Sequence, residues 1–205
     1  MIQENIDTII FDFGGVLINI DYHRTIDAFK ELGIEDFEER YSQADQTSLF
    51  NDLEVGKISA QRFVNELLDF LPQGTSPNKV VHAWNTMLLD VPRSGIDLLQ
   101  TLKGKYRLFL LSNTNEIHIP KALVEWQKTS NIDFYDCFDH VYLSHEMGMR
   151  KPNKEIFERV CQEQNIQPNN AVFIDDSSQH IKGASEVGLN TIHLTSDVSL
   201  VSLFS

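Results

Sequence analysis

The chain has 205 residues, a formal net charge of −13 and an isoelectric point near 4.8, and 41% of its residues are hydrophobic. This length provides one sizeable hydrophobic core, or a core domain with a smaller insertion. The acidic charge and the lack of a basic run argue against nucleic acid as a partner, since nothing would follow a phosphate backbone. Any phosphate site on such a protein must be locally positive.

Targeting features point to a cytoplasmic protein. No segment approaches the roughly eighteen uninterrupted apolar residues that a membrane span needs, so no membrane partner is expected. The first seven residues are acidic and lack the cationic start of a signal peptide. The two cysteines, Cys137 and Cys161, have no CxxC spacing, which favours reduced thiols over a disulfide framework.

The first organising segment is TIIFDFGGVLINID, residues 8–21. Its short apolar run stops at Asp12 and is followed by Gly14 and Gly15, a pattern typical of a buried strand of a parallel sheet. Asp12 then lies at the carboxyl end of that strand, where open α/β sheets bind ligands. A metal ion or a reacting substrate would offset the cost of desolvating this carboxylate, and the alternative is an aspartate bonded to the amides of its own turn.

Residues 20–90 have helical rather than strand periodicity. Helices are predicted at 22–32, 36–41, 60–68 and 78–89, and the helix at 60–68 has apolar residues on one face. A block of helices after a first strand predicts a separate helical cap, because a parallel-sheet domain would otherwise alternate strands and helices. We therefore expect a core of residues 1–19 and 91–205 with a cap of residues 20–90 inserted into it.

Strands and helices alternate after residue 92. Strands are predicted at 107–111, 140–143, 171–174 and 191–194, with helices at 94–102, 118–129, 153–164 and 179–187. This alternation predicts an α/β fold with a doubly wound, mainly parallel sheet.

Polar side chains follow three of the predicted strands. They are Asp12, then Ser112 with Asn113, then Asp175 with Asp176. Carboxylates at adjacent strand ends form a hard oxygen site suited to Mg²⁺. Two structural alternatives stay open: Asp176 could cap the following helix, and the Ser112–Asn113 pair could cap its helix instead of binding a phosphate.

Lys151 is a candidate for the positive group that a phosphate site requires. It precedes Pro152, which favours an extended conformation just before a predicted helix. Its ammonium is a compact point charge suited to a phosphoryl group, and the alternative is an ordinary solvated surface lysine.

Four ordered motifs resemble those of the haloacid dehalogenase-like (HAD) hydrolases. They are DFGGV at Asp12, LLSNT at Ser112, RKPNKEIF at Lys151 and VFIDD at Asp175 and Asp176. The resemblance covers essentially the whole chain, including the helical insertion. Within the superfamily the chain looks most like the α-D-glucose-1-phosphate phosphatase group and the phosphatase-like domain of bifunctional epoxide hydrolases. A Rossmann-like core with a cap follows from this resemblance.

The resemblance also implies a role for each motif. Asp12 is implied as the nucleophile, forming an aspartyl-phosphate with a small phosphorylated metabolite. Ser112 and Asn113 would bind the phosphoryl oxygens, and Lys151 would neutralise their charge. The implied Mg²⁺ ligands are Asp12, the backbone carbonyl of Gly14, and Asp176, with Asp175 either a direct ligand or a supporting residue.

The chain departs from the commonest HAD phosphatases at Gly14. Those enzymes carry there a second aspartate, which serves as general acid and base. Three explanations are open: a good leaving group, a proton supplied by a substrate hydroxyl or by Asp21, His23 or His118, or a protein that binds without turnover. The favoured hypothesis is a Mg²⁺-dependent phosphatase. The alternatives are a dehalogenase-type hydrolase with an ester on Asp12, and a catalytically silent binding or regulatory protein.

Overall fold

A computed structural model of the protein describes residues 3–40 and 48–204. Its centre is a parallel sheet in the order β3-β2-β1-β4-β5. The strands are β1 Thr8–Phe11, β2 Arg107–Ser112, β3 His140–Leu143, β4 Ala171–Asp175 and β5 Asn190–His193. β1 forms because its β-branched and aromatic residues are buried on both faces of the sheet. The predicted doubly wound α/β fold is confirmed.

Helices flank this sheet on both faces. They are α6 Arg93–Leu102, α7 His118–Thr129, α8 Ser144–Met147, α9 Lys154–Glu163 and α10 Ser178–Glu186, with 3₁₀ turns at Tyr135–Cys137, Pro168–Asn170 and Leu200–Phe204. Each connection between parallel strands therefore crosses over the sheet, and two hydrophobic clusters fill the two interfaces. In the part of the chain that is described, no helix has the length and apolar character to cross a membrane.

The segment between β1 and β2 is helical, as predicted. Its helices are α1 Tyr22–Leu32, α2 Phe37–Arg40, α3 Ser48–Glu54, α4 Ala60–Leu68 and α5 Pro77–Asn85. α4 buries the predicted apolar stripe through Phe63, Val64 and Leu67. The sequence pattern did not predict α3, and residue 41, predicted to end the second helix, lies outside the described residues. These helices share a hydrophobic cluster that includes stacked and edge-on aromatic rings.

The two chain segments that join the cap to the core lie side by side. Asn19 N–H donates to Asp90 O, and Leu89 N–H donates to Asn19 O, each at 2.9 Å. Asp21 N–H donates to Met87 O at 2.9 Å. The chain therefore leaves and re-enters the core at one place. This pairing and the separate aromatic cluster support the proposed division at residues 20 and 90.

Candidate active site

The sheet brings the predicted polar strand ends together. β1 pairs with β2 on one side and β4 on the other, with Phe11 opposite both Leu110 and Ile174. Asp12 continues β1 and its N–H donates to Ile174 O at 2.9 Å. The side chains of Asp12, Asp175 and His180 each offer an oxygen or nitrogen atom within 4.8 Å of the others. The carboxylates from the first and a later strand thus converge at one point.

Lys151 is the positive group of this cluster, and it is fully buried. Its Nζ lies 2.8 Å from Asp12 Oδ1 and 2.7 Å from Asp175 Oδ2. Asn113 fixes the lysine backbone from both sides: Lys151 N–H donates to Asn113 Oδ1, and Asn113 Nδ2 donates to Lys151 O, both at 2.9 Å. The alternative of a solvated surface lysine is therefore wrong.

Asp175 is surrounded by donors rather than open to a ligand. Its side chain is fully buried and accepts Ser177 N–H at 2.8 Å on Oδ1 in addition to Lys151 on Oδ2. His180 Nδ1 lies 3.0 Å from both carboxylate oxygens. His180 was not predicted as a site residue. Its position in the first turn of the helix that follows the Asp175–Asp176 strand end was the available signal.

The electrostatics of the cluster follow from burial and from these pairs. Burial raises the pKa of Asp12 well above its usual range, although Lys151 opposes the shift. Burial alone would also raise the pKa of Asp175, but Lys151 and His180 outweigh it and lower that pKa to about 2. Likewise, burial disfavours the charged lysine, yet Asp12 and Asp175 together raise the pKa of Lys151. A cationic Lys151 therefore faces an ionised Asp175.

Asp176 is a partly buried carboxylate that forms no ion pair among the described residues. Burial, followed by the nearby Asp175 carboxylate, raises the pKa of Asp176 to about 6. Gly15 has φ +70° and lies so close that an added Cβ would overlap Asp176 Oδ2. The loop after β1 and the end of β4 are thus in contact. Helix α10 begins at Ser178 with Ser177 as its N-terminal cap residue and no side-chain capping bond, so the structure does not use Asp176 as a cap.

The loop after β2 does not use Ser112 or Asn113 to cap the helix that follows. Ser112 is buried, and its hydroxyl lies 3.5 Å from Asn113 O. The helix that follows is capped by Asn115, whose Oδ1 accepts the N–H groups of Ile117 and His118 at 3.0 Å. Because Asn115 performs the capping, the structural alternative for Ser112 and Asn113 is wrong.

Two of the candidate proton donors already have structural roles. Asp21 caps α1 by accepting His23 N–H at 3.0 Å. His118 is buried, stacks on Trp84 and lies 2.8 Å from Asn85 Oδ1 through Nδ1. Burial lowers the pKa of His118 to about 3, so this imidazole is neutral at physiological pH. His118 is therefore a poor general acid.

This arrangement of a strand-end aspartate, a buried lysine and a second acidic pair on a doubly wound sheet is that of a hydrolase. A family model for haloacid dehalogenase-like hydrolases matches residues 6–188, and the chain belongs to that family. The predicted superfamily is confirmed, whereas the predicted subgroup stays a prediction.

Full-length relatives are similar in both sequence and structure. The chain is 33% identical over 186 residues to a D-ribitol-5-phosphate phosphatase of Bacteroides thetaiotaomicron, covering 91% of this chain and 90% of that one. A HAD family enzyme of the same organism, crystallised as an aspartate-to-alanine mutant with magnesium and inorganic phosphate, superposes with a TM-score of 0.92 at 34% identity, covering 98% and 99% of the two chains. A HAD-like hydrolase structure from Porphyromonas gingivalis gives 0.88 at 31% identity, covering 97% and 96%.

Proposed function

We propose that this protein is a Mg²⁺-dependent phosphatase that hydrolyses a small phosphorylated metabolite through an aspartyl-phosphate on Asp12. The observation that carries the proposal is the buried ammonium of Lys151, held 2.8 Å from Asp12. A carboxylate nucleophile repels an anionic phosphoryl group unless a cation lies between them. The relative named as a D-ribitol-5-phosphate phosphatase supports the class of substrate and makes an acyclic sugar-alcohol phosphate the first compound to test.

The acidic residues fit a hard divalent cation. We assign its ligands to Asp12, the backbone carbonyl of Gly14, and Asp176, because Asp176 has no cationic partner among the described residues and Gly15 brings the first loop against it. Asp175 supports the site instead, since its oxygens already accept Lys151, His180 and Ser177. A bound Mg²⁺ supplies charge neutralisation to the phosphoryl oxygens. A structural neighbour crystallised with magnesium and inorganic phosphate supports magnesium as the cation.

Two chemical steps follow for the chain's own residues. An oxygen of Asp12 attacks phosphorus, the bond from phosphorus to the ester oxygen breaks, and the leaving oxygen acquires a proton. Ser112, with the backbone N–H of Asn113, holds the phosphoryl oxygens while Lys151 balances their charge. Water then cleaves the aspartyl-phosphate to regenerate Asp12. Because Asp21 caps a helix and His118 is buried and neutral, the remaining sources of the proton are His23 and a substrate hydroxyl, and a good leaving group needs none.

The test is phosphate release from p-nitrophenyl phosphate, acetyl phosphate, glucose 1-phosphate and ribitol 5-phosphate, with and without Mg²⁺. We expect release that requires Mg²⁺ and disappears in Asp12→Asn. Asp7→Asn is the matched control, because Asp7 is exposed at the opposite end of the same strand. Release that survives Asp12→Asn would eliminate the aspartyl-phosphate. Halide release from a 2-haloacid without phosphate release would favour the dehalogenase alternative.

A further inference from the structure

A nearly buried ion pair joins the cap to the core. Arg150 Nε lies 3.1 Å from Glu54 Oε2, and the two side chains are 16% and 11% exposed. Arg150 Nη1 also donates to Asn51 Oδ1 at 3.2 Å. Solvent screens such a pair much less than the exposed Arg62–Glu66 pair on the cap surface, whose side chains are 67% and 40% exposed. This junction contact therefore ties the cap helix that ends at Glu54 to the segment that precedes Lys151.

The core partner of this pair is adjacent in sequence to Lys151. Consecutive Cα atoms are separated by a fixed distance of about 3.8 Å, so a displacement of Arg150 is transmitted to Lys151. The reciprocal bonds between Asn113 and the Lys151 backbone fix that residue from the other side. Lys151 Nζ must in turn satisfy two carboxylates at 2.7–2.8 Å. Its position therefore tolerates little movement of the segment that carries it.

The same part of the cap contacts both loops of the site. Gly56, with φ +67°, lies so close to the carbonyl of His145 that an added Cβ would overlap it. Ala60 N–H donates to Glu116 Oε1, in the loop that follows Ser112. Cap residues 54–60 thus contact helix α8, which precedes Lys151, and the loop that follows Ser112.

We propose that the Glu54–Arg150 ion pair is a latch that seats the cap on the core and positions Lys151. Neither residue is placed against the phosphoryl group, so both are positioning residues that act through Lys151. The docking of the cap on the core is then coupled to the position of the Lys151 ammonium, which neutralises the phosphoryl group. This inference rests on the proposed phosphatase function.

The test is a double-mutant cycle on Mg²⁺-dependent hydrolysis of p-nitrophenyl phosphate. Glu54→Gln and Arg150→Met should each lower kcat/KM by about 10- to 10²-fold, the scale expected when catalytic groups are misplaced. The kcat/KM of the double variant should be no lower than that of the less active single variant, because either substitution alone already breaks the ion pair. Arg150→Lys retains the charge and should recover part of the activity. The matched control, Glu66→Gln, should change kcat/KM by less than about twofold.

Hydrogen exchange of the full chain provides a readout that does not depend on turnover. Amides of residues 144–153 and the amide of Ala60 should exchange faster in Glu54→Gln than in wild type or Glu66→Gln. The proposed role of the ion pair would be wrong if the two reductions in kcat/KM multiply in the double variant. It would also be wrong if the amide hydrogens of these residues exchange at the same rate in Glu54→Gln and in wild type. A wild-type protein that hydrolyses none of the phosphate substrates would instead overturn the proposed function, while the exchange comparison still decides the latch. If Glu54→Gln or Arg150→Met does not fold, the kcat/KM and the amide hydrogen exchange of Arg150→Lys test the same role of the ion pair.

Discussion

Replacing Asp176 with asparagine should stabilise the metal-free protein and abolish its response to Mg²⁺. Asp176 has a pKa of about 6 in the folded protein, against 3.8 for an unperturbed aspartate, chiefly because it is buried and secondly because it faces Asp175. A raised pKa means that the folded state is favoured fully below pH 3.8 and loses that advantage as pH rises to about 6. Above pH 6 the ionised carboxylate therefore destabilises the metal-free fold.

The expected change in the free energy of unfolding follows from the difference between the two pKa values of Asp176. Each pKa unit corresponds to about 1.36 kcal/mol, so the full effect above pH 6 is about 3 kcal/mol. Asp176 is partly exposed and solvent screens some of it, which leaves an expected gain of about 1–3 kcal/mol for Asp176→Asn at pH 8. At pH 4 the wild-type side chain is protonated in the folded state, and the gain should fall below about 1 kcal/mol.

The assay is urea unfolding at pH 4 and pH 8, with EDTA or with Mg²⁺. In EDTA at pH 8, Asp176→Asn should unfold at higher urea than wild type. Saturating Mg²⁺ should stabilise wild type by about 2.7 kcal/mol at 100 times its Kd and leave the variant unchanged. Asp7→Asn, an exposed carboxylate far from the site, controls for the loss of one negative charge. Equal stability of Asp176→Asn and wild type in EDTA, or equal stabilisation of both by Mg²⁺, would refute the reasoning.

Three further substitutions test other parts of the site. Lys151→Met should abolish phosphate release and lower the free energy of unfolding by about 3 kcal/mol or more, because it leaves two buried carboxylates without their cation. Urea unfolding and phosphate-release assays that show a stable, active variant would contradict this. Gly15→Ala should weaken Mg²⁺ activation about tenfold or more by displacing Asp176, whereas Gly74→Ala, also at positive φ but with no neighbour within 4 Å, should cost only about 1 kcal/mol of stability. Gly14→Asp should raise turnover of alkyl phosphates over wild type by supplying an acid, and equal or lower kcat in the phosphate panel would remove that explanation of Gly14.

The strand ends were predictable because their signal is local. Asp12, Ser112 and Asp175 each follow a continuous apolar run, and parallel strands place such ends at one edge of the sheet. Helices with a clear apolar periodicity or a strong N-terminal cap residue were also predictable from the sequence. Helix α1 begins and ends where the pattern predicts. The role of Asp175, by contrast, depends on Lys151, which lies 24 positions away in the chain and which only tertiary structure brings to it.

The junction between cap and core was not predictable from the sequence. Helix α3 is only seven residues long, which is too short to show a helical period in the sequence. Glu54 ends that helix and meets Arg150, which lies 96 positions away in the chain. Glutamate and arginine are usually solvated surface residues, and only the packing of helix α3 against the segment after α8 makes this pair nearly buried.

The paired segments at residues 19–21 and 87–90 make the cap replaceable without altering the sheet. Closing a loop whose ends already touch costs only a little more as the loop grows, since the entropy depends on the logarithm of its length. A shorter or longer helical insert grafted between Asp21 and Met87 would begin and finish at the same point above β1. The edge of the sheet that carries Asp12 can therefore be kept while the helical insert is exchanged, provided that the new insert supplies a carboxylate for Arg150.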